Sequence, residues 1–498
     1  MNCLCVLIGL SGIKSSFVVM KDSRDTKHLY EKIAANIQAK ILSGVYNRGD
    51  KLPSVRDVSK NLKVSIASVI QAYVLLEKEG LVESKFRSGF YVKDISNNLS
   101  KEPTNKKFNI AINHYYRGEL VSEVNEQARI PKIIPLGAGI PFIDNLPYKE
   151  LSNLTSSICG SNKIAGIAYE FPPGNEKLRK QLAKRTISWS KSYLADDFII
   201  TTGATEGLAL ALKAVAKPGE SVIVASPTYF GILQLIETFG MQVLEIPLDS
   251  TYGLDLGILN KALKKHNVCA CILSPTVDNP LGSIIPNDNK KAIYEIFSKR
   301  EIPIIEDDVY SDLCFDTYRP NPIKSIDGFN HVIYVSSFSK TVAPGYRVGW
   351  MIPGKFYEKI KRLKFATSLS SPSINQIVFA EFLNKGYYEK SVKSLKKIYK
   401  NQVAEYSLLI QKYFPLGTKI SQPKGGYYLW IEFPSLINSM LLQNEAIKKR
   451  ISITSGPLFS TQKNLFLNNL RINCAFPISM TEESIKALGN MAKSVLLS

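Results

Sequence analysis

The chain has 498 residues, 45% of them hydrophobic, which is too long for one core and ample for two or more. Its net charge of +20 suits a polyanionic partner, although the excess is spread out: residues 20–95 hold fourteen Lys or Arg against nine Asp or Glu. Seven scattered cysteines without metal spacing, and no apolar run of membrane-helix length, exclude a disulfide scaffold, a zinc centre and a membrane span, and place the chain in a reducing cytoplasm.

Residues 1–23 include NCLCVLIGLSG, which lacks the basic start and cleavage site of a signal peptide. They are expected to be disordered or a misassigned start, with Met20 as the alternative initiation point. From 24 to 95 the pattern changes. Tyr30, Ile33, Ala34, Ile37 and Ile41 recur at helical spacing up to Gly44. After GDKLP, Ser54 and Asp57 form a capping-box pattern for a short second helix. Val64-Ser65 opens a third, running through Val69, Ala72, Tyr73 and Leu76 to Gly80, and LVESKFRSGFYV follows as a two-stranded wing. Helix, helix, turn, helix, wing is an arrangement that puts the third helix into the major groove of DNA. From LYEKIAANIQ to SGFYV the segment resembles the GntR-type winged helix-turn-helix almost end to end. This resemblance implies phosphate or base contacts from Arg56, Ser65, Ser68, Lys85 and Arg87. It departs at Ile66 and Ile70, where many GntR-type domains carry arginine, so guanine readout is not implied.

Residues 96–131 read as a linker, since SNNLSKEPTNKK is polar and charged, with a helix expected near Glu119–Arg129. The second domain, 132–498, carries its chemistry in five segments. FIITTGATEGLALALKAV reads as a strand, a turn at Gly203 and a helix from near Thr205, so the amides of Ala204 and Thr205 face an anion at a positive helix end. SPTYFG offers Tyr229 as a flat aromatic lid. The strand Val268–Leu273, whose Cys269 and Cys271 read as core thiols, leads into SPTVDNPLG and Asn279. The strand Ile302–Ile305 ends in Glu306, Asp307 and Asp308, at the end of a parallel strand where open α/β sheets bind ligands, with Tyr310 just beyond. SSFSKTVAPGYRVGW sets Lys340 among hydroxyls, seven residues before Arg347.

That last pattern suits pyridoxal 5'-phosphate (PLP). The Lys340 amine condenses with the cofactor aldehyde, while Ser337, Ser339 and Arg347 hold the phosphate. Asp307 keeps the pyridine nitrogen protonated, Tyr310 and Asn279 reach the ring 3'-oxygen, and Tyr229 lies against the ring. In order and rough spacing these segments resemble the fold type I aminotransferases, from about Leu136 to the C-terminus. The resemblance implies that Tyr169, in YEFPPGNEKLR, reaches the phosphate of a neighbouring subunit, hence a homodimer, and that Arg471, in NNLRINCAF, forks onto a substrate carboxylate. It also makes GAGIP, Gly137 to Pro141, the substrate loop, and GGYYLWIEF, Gly425 to Phe433, the start of a small C-terminal domain.

A GntR-type head on such a body resembles the MocR-type transcriptional regulators. The fold expected is α/β, a large mostly parallel sheet domain plus a small α+β domain, preceded by a winged helix-turn-helix. The function implied is a cytoplasmic, PLP-binding transcription regulator that binds promoter DNA and senses an amino compound or PLP itself, with no metal and no membrane. The alternative is a working aminotransferase, using an amino acid and a 2-oxo acid, with a secondary DNA-binding head.

Overall fold

Ser54 accepts a hydrogen bond from the Asp57 amide at 3.2 Å, and this cap starts the second helix where the capping-box pattern puts it. The computed structural model describes residues 28–497 except 43–44, 47–48, 79–80, 86–87, 94–101, 105, 107, 115–121, 123–125, 128–129 and 162–165. Residues 1–23, the stop glycines Gly44 and Gly80, and Arg87 lie outside the described residues, as does most of the helix expected near Glu119–Arg129, of which Ser122, Glu126 and Gln127 are helical.

The head contains α1 (Leu29–Leu42), α2 (Val55–Leu62), α3 (Ile66–Lys78), β1 (Val82–Lys85) and β2 (Gly89–Val92). Helix α1 buries Ile33, Ala34, Ile37 and Ile41, and α3 buries Val69, Ala72, Tyr73 and Leu76, as their spacing predicts. The Tyr73 ring stacks on Phe90 of the wing at 4.6 Å, and its hydroxyl donates to the Pro53 carbonyl at 2.6 Å. One side chain thus ties α3 to β2 and to the turn before α2. Ser65 caps α3 by accepting from the Ser68 amide at 3.1 Å.

The body is built on a nine-stranded sheet. Its central strands Gln242–Asp249, Ser221–Ser226, Ala270–Leu273, Ile304–Asp307 and Val332–Ser337 run parallel, and Gly349–Ile352 and Ile199–Thr201 add antiparallel at one side. These strands read as continuous Val/Ile runs because helices cover both faces. Strand Ile304–Asp307 begins two residues later than the apolar run suggests and takes Glu306 and Asp307 into the ladder, where Glu306 accepts from the Ile323 and Lys324 amides at 2.8 Å each. A second, antiparallel sheet joins Lys419–Ile420, Tyr428–Glu432, Asn469–Asn473 and Thr454–Ser455, with Trp430 and Thr454 flanking Arg471.

Part of the expected linker is not a free tether. Ile112–Asn113 joins the edge of the large sheet beside Val243 and Leu244. Upstream, Thr104 donates from its amide (2.5 Å) and its hydroxyl (2.9 Å) to Glu432 of the small sheet, Lys106 donates to Asn468 at 2.8 Å, and Glu102 accepts from Ser250. The described residues between Glu102 and Asn113 therefore strap the two sheets of the body together. Polar composition had suggested flexibility, but these polar groups find fixed partners on the body.

Candidate functional site

At the carboxyl ends of the parallel strands a single cleft is lined by Ala204, Thr205, Tyr229, Ser274, Asn279, Asp307, Tyr310, Ser337, Ser339, Lys340 and Arg347, among others. Ten sequence-predicted residues thus meet in one place, since each lies at or just beyond the end of a parallel strand or, for Arg347, just before the antiparallel strand Gly349–Ile352. The helix Ala204–Val215 points its N-terminus into the cleft through Gly203, whose φ of +79° ordinary side chains avoid. A Cβ at Gly203 would also stand 2.5 Å from Arg347 Nη2, so this glycine leaves the space that the guanidinium fills. Arg347 itself is exposed to the cleft, and its longest-range partners there are Ser339 Oγ and the Thr202 carbonyl, both at 3.4 Å.

Lys340 Nζ donates to the Gly139 carbonyl at 2.6 Å. The side chain is only partly accessible, and desolvation, helped by the nearby Arg471 and Arg347, lowers its pKa even though Tyr428 and Asp307 oppose the shift. The shift enlarges the neutral amine fraction, which is the nucleophilic form. Asp307 is pushed in the opposite sense, to about 7, first by burial and then by the charge of Asp308, while Lys340, the Val309 amide and Ser274 pull it back. Its Oδ1 is buried with no hydrogen-bond partner among the described residues. A buried orphan acceptor of this kind calls for a donor from a ligand. Asp308 also has an unpartnered Oδ1 among the described residues, but its Oδ2 is held by Arg319, by Tyr334 (2.6 Å) and by Ser311 (2.8 Å), and it is Asp307 that lines the cleft.

Tyr229 is raised to about 12, chiefly by burial, and so remains a neutral ring at ordinary pH. Tyr310 donates to or accepts from Tyr428 at 2.8 Å, and burial raises its pKa well above the usual value. Arg471 is fully buried on the central strand of the small sheet and does not line the cleft wall; it lies behind Asn279, donating to Asn279 Oδ1 at 2.9 Å and to the Gly137 carbonyl at 2.5 Å. Its guanidinium also sits 4.5 Å from the Tyr428 ring centre, and its Nε has no hydrogen-bond partner among the described residues. Because Arg471 occupies the Asn279 oxygen, the Asn279 amide nitrogen is left to serve as a donor. Tyr169 lines no part of this cleft and is 69% exposed.

Two participants were not foreseen. Tyr428 stands where a Cβ on Gly139 would be 3.1 Å from its hydroxyl and 4.0 Å from Lys340 Nζ. Adjacent tyrosines stand at 427 and 428, and only the fold shows that it is Tyr428 whose hydroxyl lies by Gly139 and whose charge acts on Lys340. Ser274, the first residue after its strand, steadies Asp307.

These features fit PLP: an orphaned carboxylate for the pyridine nitrogen, an enclosed amine, and a phosphate cradle of helix N-terminus, serines and arginine. In the head, Arg56, Ser65 and Lys85 are exposed and Ser68 is half-buried, with Ser65 and Ser68 hydroxyls 2.8 Å apart. Among the described residues no helix is long and apolar enough to cross a membrane.

Comparison with known proteins agrees with this reading. Residues 166–488 match the family model for class I and II aminotransferases, and residues 29–92 match that for bacterial regulatory proteins of the gntR family. The chain is 34% identical over 461 residues to YjiR, an uncharacterized HTH-type transcriptional regulator of Escherichia coli K12, covering 92% of this chain and 98% of that one. It is 31% identical to YdcR of the same organism, likewise an uncharacterized HTH-type transcriptional regulator, over 94% and 99%. Among solved structures, a Pyrococcus horikoshii kynurenine aminotransferase in complex with PMP superposes with a TM-score of 0.70 at 28% identity, covering 75% of this chain and 94% of that one. The class I and II aminotransferase fold family is PLP-dependent. By its body the chain belongs to the class I and II aminotransferases and by its head to the GntR regulators, and this fusion makes it a MocR-type transcriptional regulator.

Proposed function

We propose that this regulator binds PLP through Lys340 and senses an amino compound that carries a carboxylate, changing its hold on promoter DNA in response. The observation that supports this most is the orphaned Asp307 Oδ1 facing the same cleft as the Lys340 amine, on a chain whose other domain is a winged helix-turn-helix. When bound, the cofactor takes up an amine covalently at its carbonyl carbon and draws electron density from it. Asp307 holds the proton of the pyridine nitrogen, Ser337, Ser339, Arg347 and the amides of Ala204 and Thr205 hold the phosphate, and Tyr229 covers the ring. Asn279 Nδ2 and the Tyr310 hydroxyl serve the ring oxygen. Lys340, once an effector amine takes its place, is free to hold or move the proton on the effector α-carbon.

Arg471 gives the site its ligand sense. An effector carboxylate competes with the Gly137 carbonyl for the Arg471 fork, so binding releases the 137–141 loop from one of its anchors. Only an effector that favours one conformation by a few kcal/mol over the other changes the population of DNA-binding heads. The experiment is retention of promoter fragments by the full chain with and without PLP, across amino acids and amines. Fragments are expected to be retained, with the affinity shifted by an amino compound only when PLP is present; failure to retain any fragment in either state refutes the reading.

A second reading, a working aminotransferase, is favoured by the completeness of the set Tyr229, Asn279, Asp307, Tyr310, Lys340 and Arg471. Turnover of an amino acid and a 2-oxo acid at about 1 per second or faster, with no effect on DNA, would make catalysis the primary role.

The same proposal makes the protein a homodimer with shared sites. Tyr169, Phe171 and Phe365 are 69%, 50% and 54% exposed and form a surface aromatic row, with centroids 5.5 and 6.1 Å apart. Such a row suits burial against a second copy. Sedimentation of the PLP-loaded protein is expected to give a dimer; a monomer with normal PLP affinity overturns it.

A further inference from the structure

We propose that α3 reads its operator through thymine methyl groups, using Ile66, Ile70 and Val74. The proposal rests on the DNA-binding reading above and adds which bases are recognised. The three side chains are 50%, 45% and 51% exposed. They follow one another at intervals of four, so they form one stripe on the exposed side of the helix, next to the face that buries Val69, Ala72, Tyr73 and Leu76. Three large apolar side chains in a row toward water are an unfavourable surface unless something covers them.

What covers them follows from the surrounding chemistry. The only charged residues in α3 are Glu77 and Lys78 at its end, so its exposed face carries no cation for a guanine edge. The cations flank it instead: Arg56 and Lys60 on α2, Lys63 in the turn before α3, and Lys85 on the wing, all exposed. Flanking lysines and arginines hold phosphates and set the helix in register, while the helix between them faces base edges. In the major groove the apolar feature of a base edge is the C5-methyl of thymine. Gln71, exposed beside Ile70, supplies the amide that pairs with adenine N6 and N7. The arrangement therefore selects T·A and A·T pairs and ignores guanine.

The test uses the full chain with PLP. Duplexes are selected from a random library, and the retained ones are remade with deoxyuridine for thymine, which removes only the methyl group. Half-sites rich in T·A pairs are expected. The uracil duplexes are expected to bind about fourfold more weakly per contacted methyl, and so tenfold or more weakly over a two-half-site operator. Ile70→Ala, at an exposed position where alanine favours the helix, is expected to bind thymine duplexes more weakly and to lose part of its sensitivity to uracil. Equal affinity for thymine and uracil duplexes overturns the proposal while leaving DNA binding intact, as does an Ile70→Ala variant with undiminished uracil sensitivity. Retention of no duplex at all overturns this proposal together with the DNA-binding reading.

Discussion

Lys340→Ala is expected to abolish the visible absorption of the lysine-bound cofactor completely, while the protein stays folded and its head still retains promoter fragments. The substitution removes the one amine that the cleft holds against Gly139, at 2.6 Å, and no other lysine lines that cleft. PLP is then held only by its phosphate and ring contacts, so it dialyses away far faster than from the parent protein. Folding is spared because the substitution removes an ammonium whose pKa burial already lowers. Absorption spectra and promoter retention, read on the same preparation, check both halves. Under the sensing proposal the variant loses its response to the amino effector, and a variant that still responds would falsify it. Arg56→Ala serves as the converse: it keeps the spectrum and loses DNA.

Asp307→Asn is expected to weaken PLP binding by about 100- to 1,000-fold, because it leaves a buried cationic ring without its counter-charge. Its effect on the empty protein has the opposite sign. Asp307 titrates at about 7 when folded against the ordinary carboxylate value of 3.8. The folded state therefore holds this proton more tightly than the unfolded chain, and stability at this residue is present below pH 4 and lost as pH rises to about 7. The loss is on the order of 4 kcal/mol at most. Glu306 and Asp278, raised to about 7 and about 6 by burial, slope the same way, so the measured quantity is the difference between variant and parent. Without PLP, Asn at 307 should melt higher than Asp at pH 8 and about equally at pH 4. An equal melting difference at both pH values sinks this account of Asp307.

The meeting of the predicted residues in one cleft was legible because that cleft hangs on strand ends. Apolar runs followed by Asn279, Asp307 and Lys340 fix where each side chain emerges, and the parallel sheet brings the emergent points together. The head was legible for a different reason: its caps and apolar spacing are local, and Ser54, Ser65 and the buried face of α3 depend on no distant partner. What could not be read depends on long-range partners. Polar residues 102–106 look like tether until Glu432 and Asn468 take their hydrogen bonds. Arg471 looks like a waiting carboxylate fork until Asn279 and Gly137 are seen to hold it. Tyr428 is indistinguishable from Tyr427 in the sequence; both rings pack against Tyr310 in the fold, and only Tyr428 shares a hydrogen bond with it.

The bond from Arg471 to the Gly137 carbonyl joins positions 334 residues apart, and Ile134–Pro135 pairs with Ile451–Ser452 in the same way. Synthesis takes these partners in a fixed order. The head is complete at Lys93, and Arg471 follows 378 residues later. At the usual pace of a ribosome this is a delay of roughly 20–80 s. For that interval each nascent chain carries a complete winged helix-turn-helix while the cleft that, on the proposal, receives the effector is still unfinished. If the chain senses an effector through this site, as proposed, a messenger broken between those two points encodes a head without a sensor.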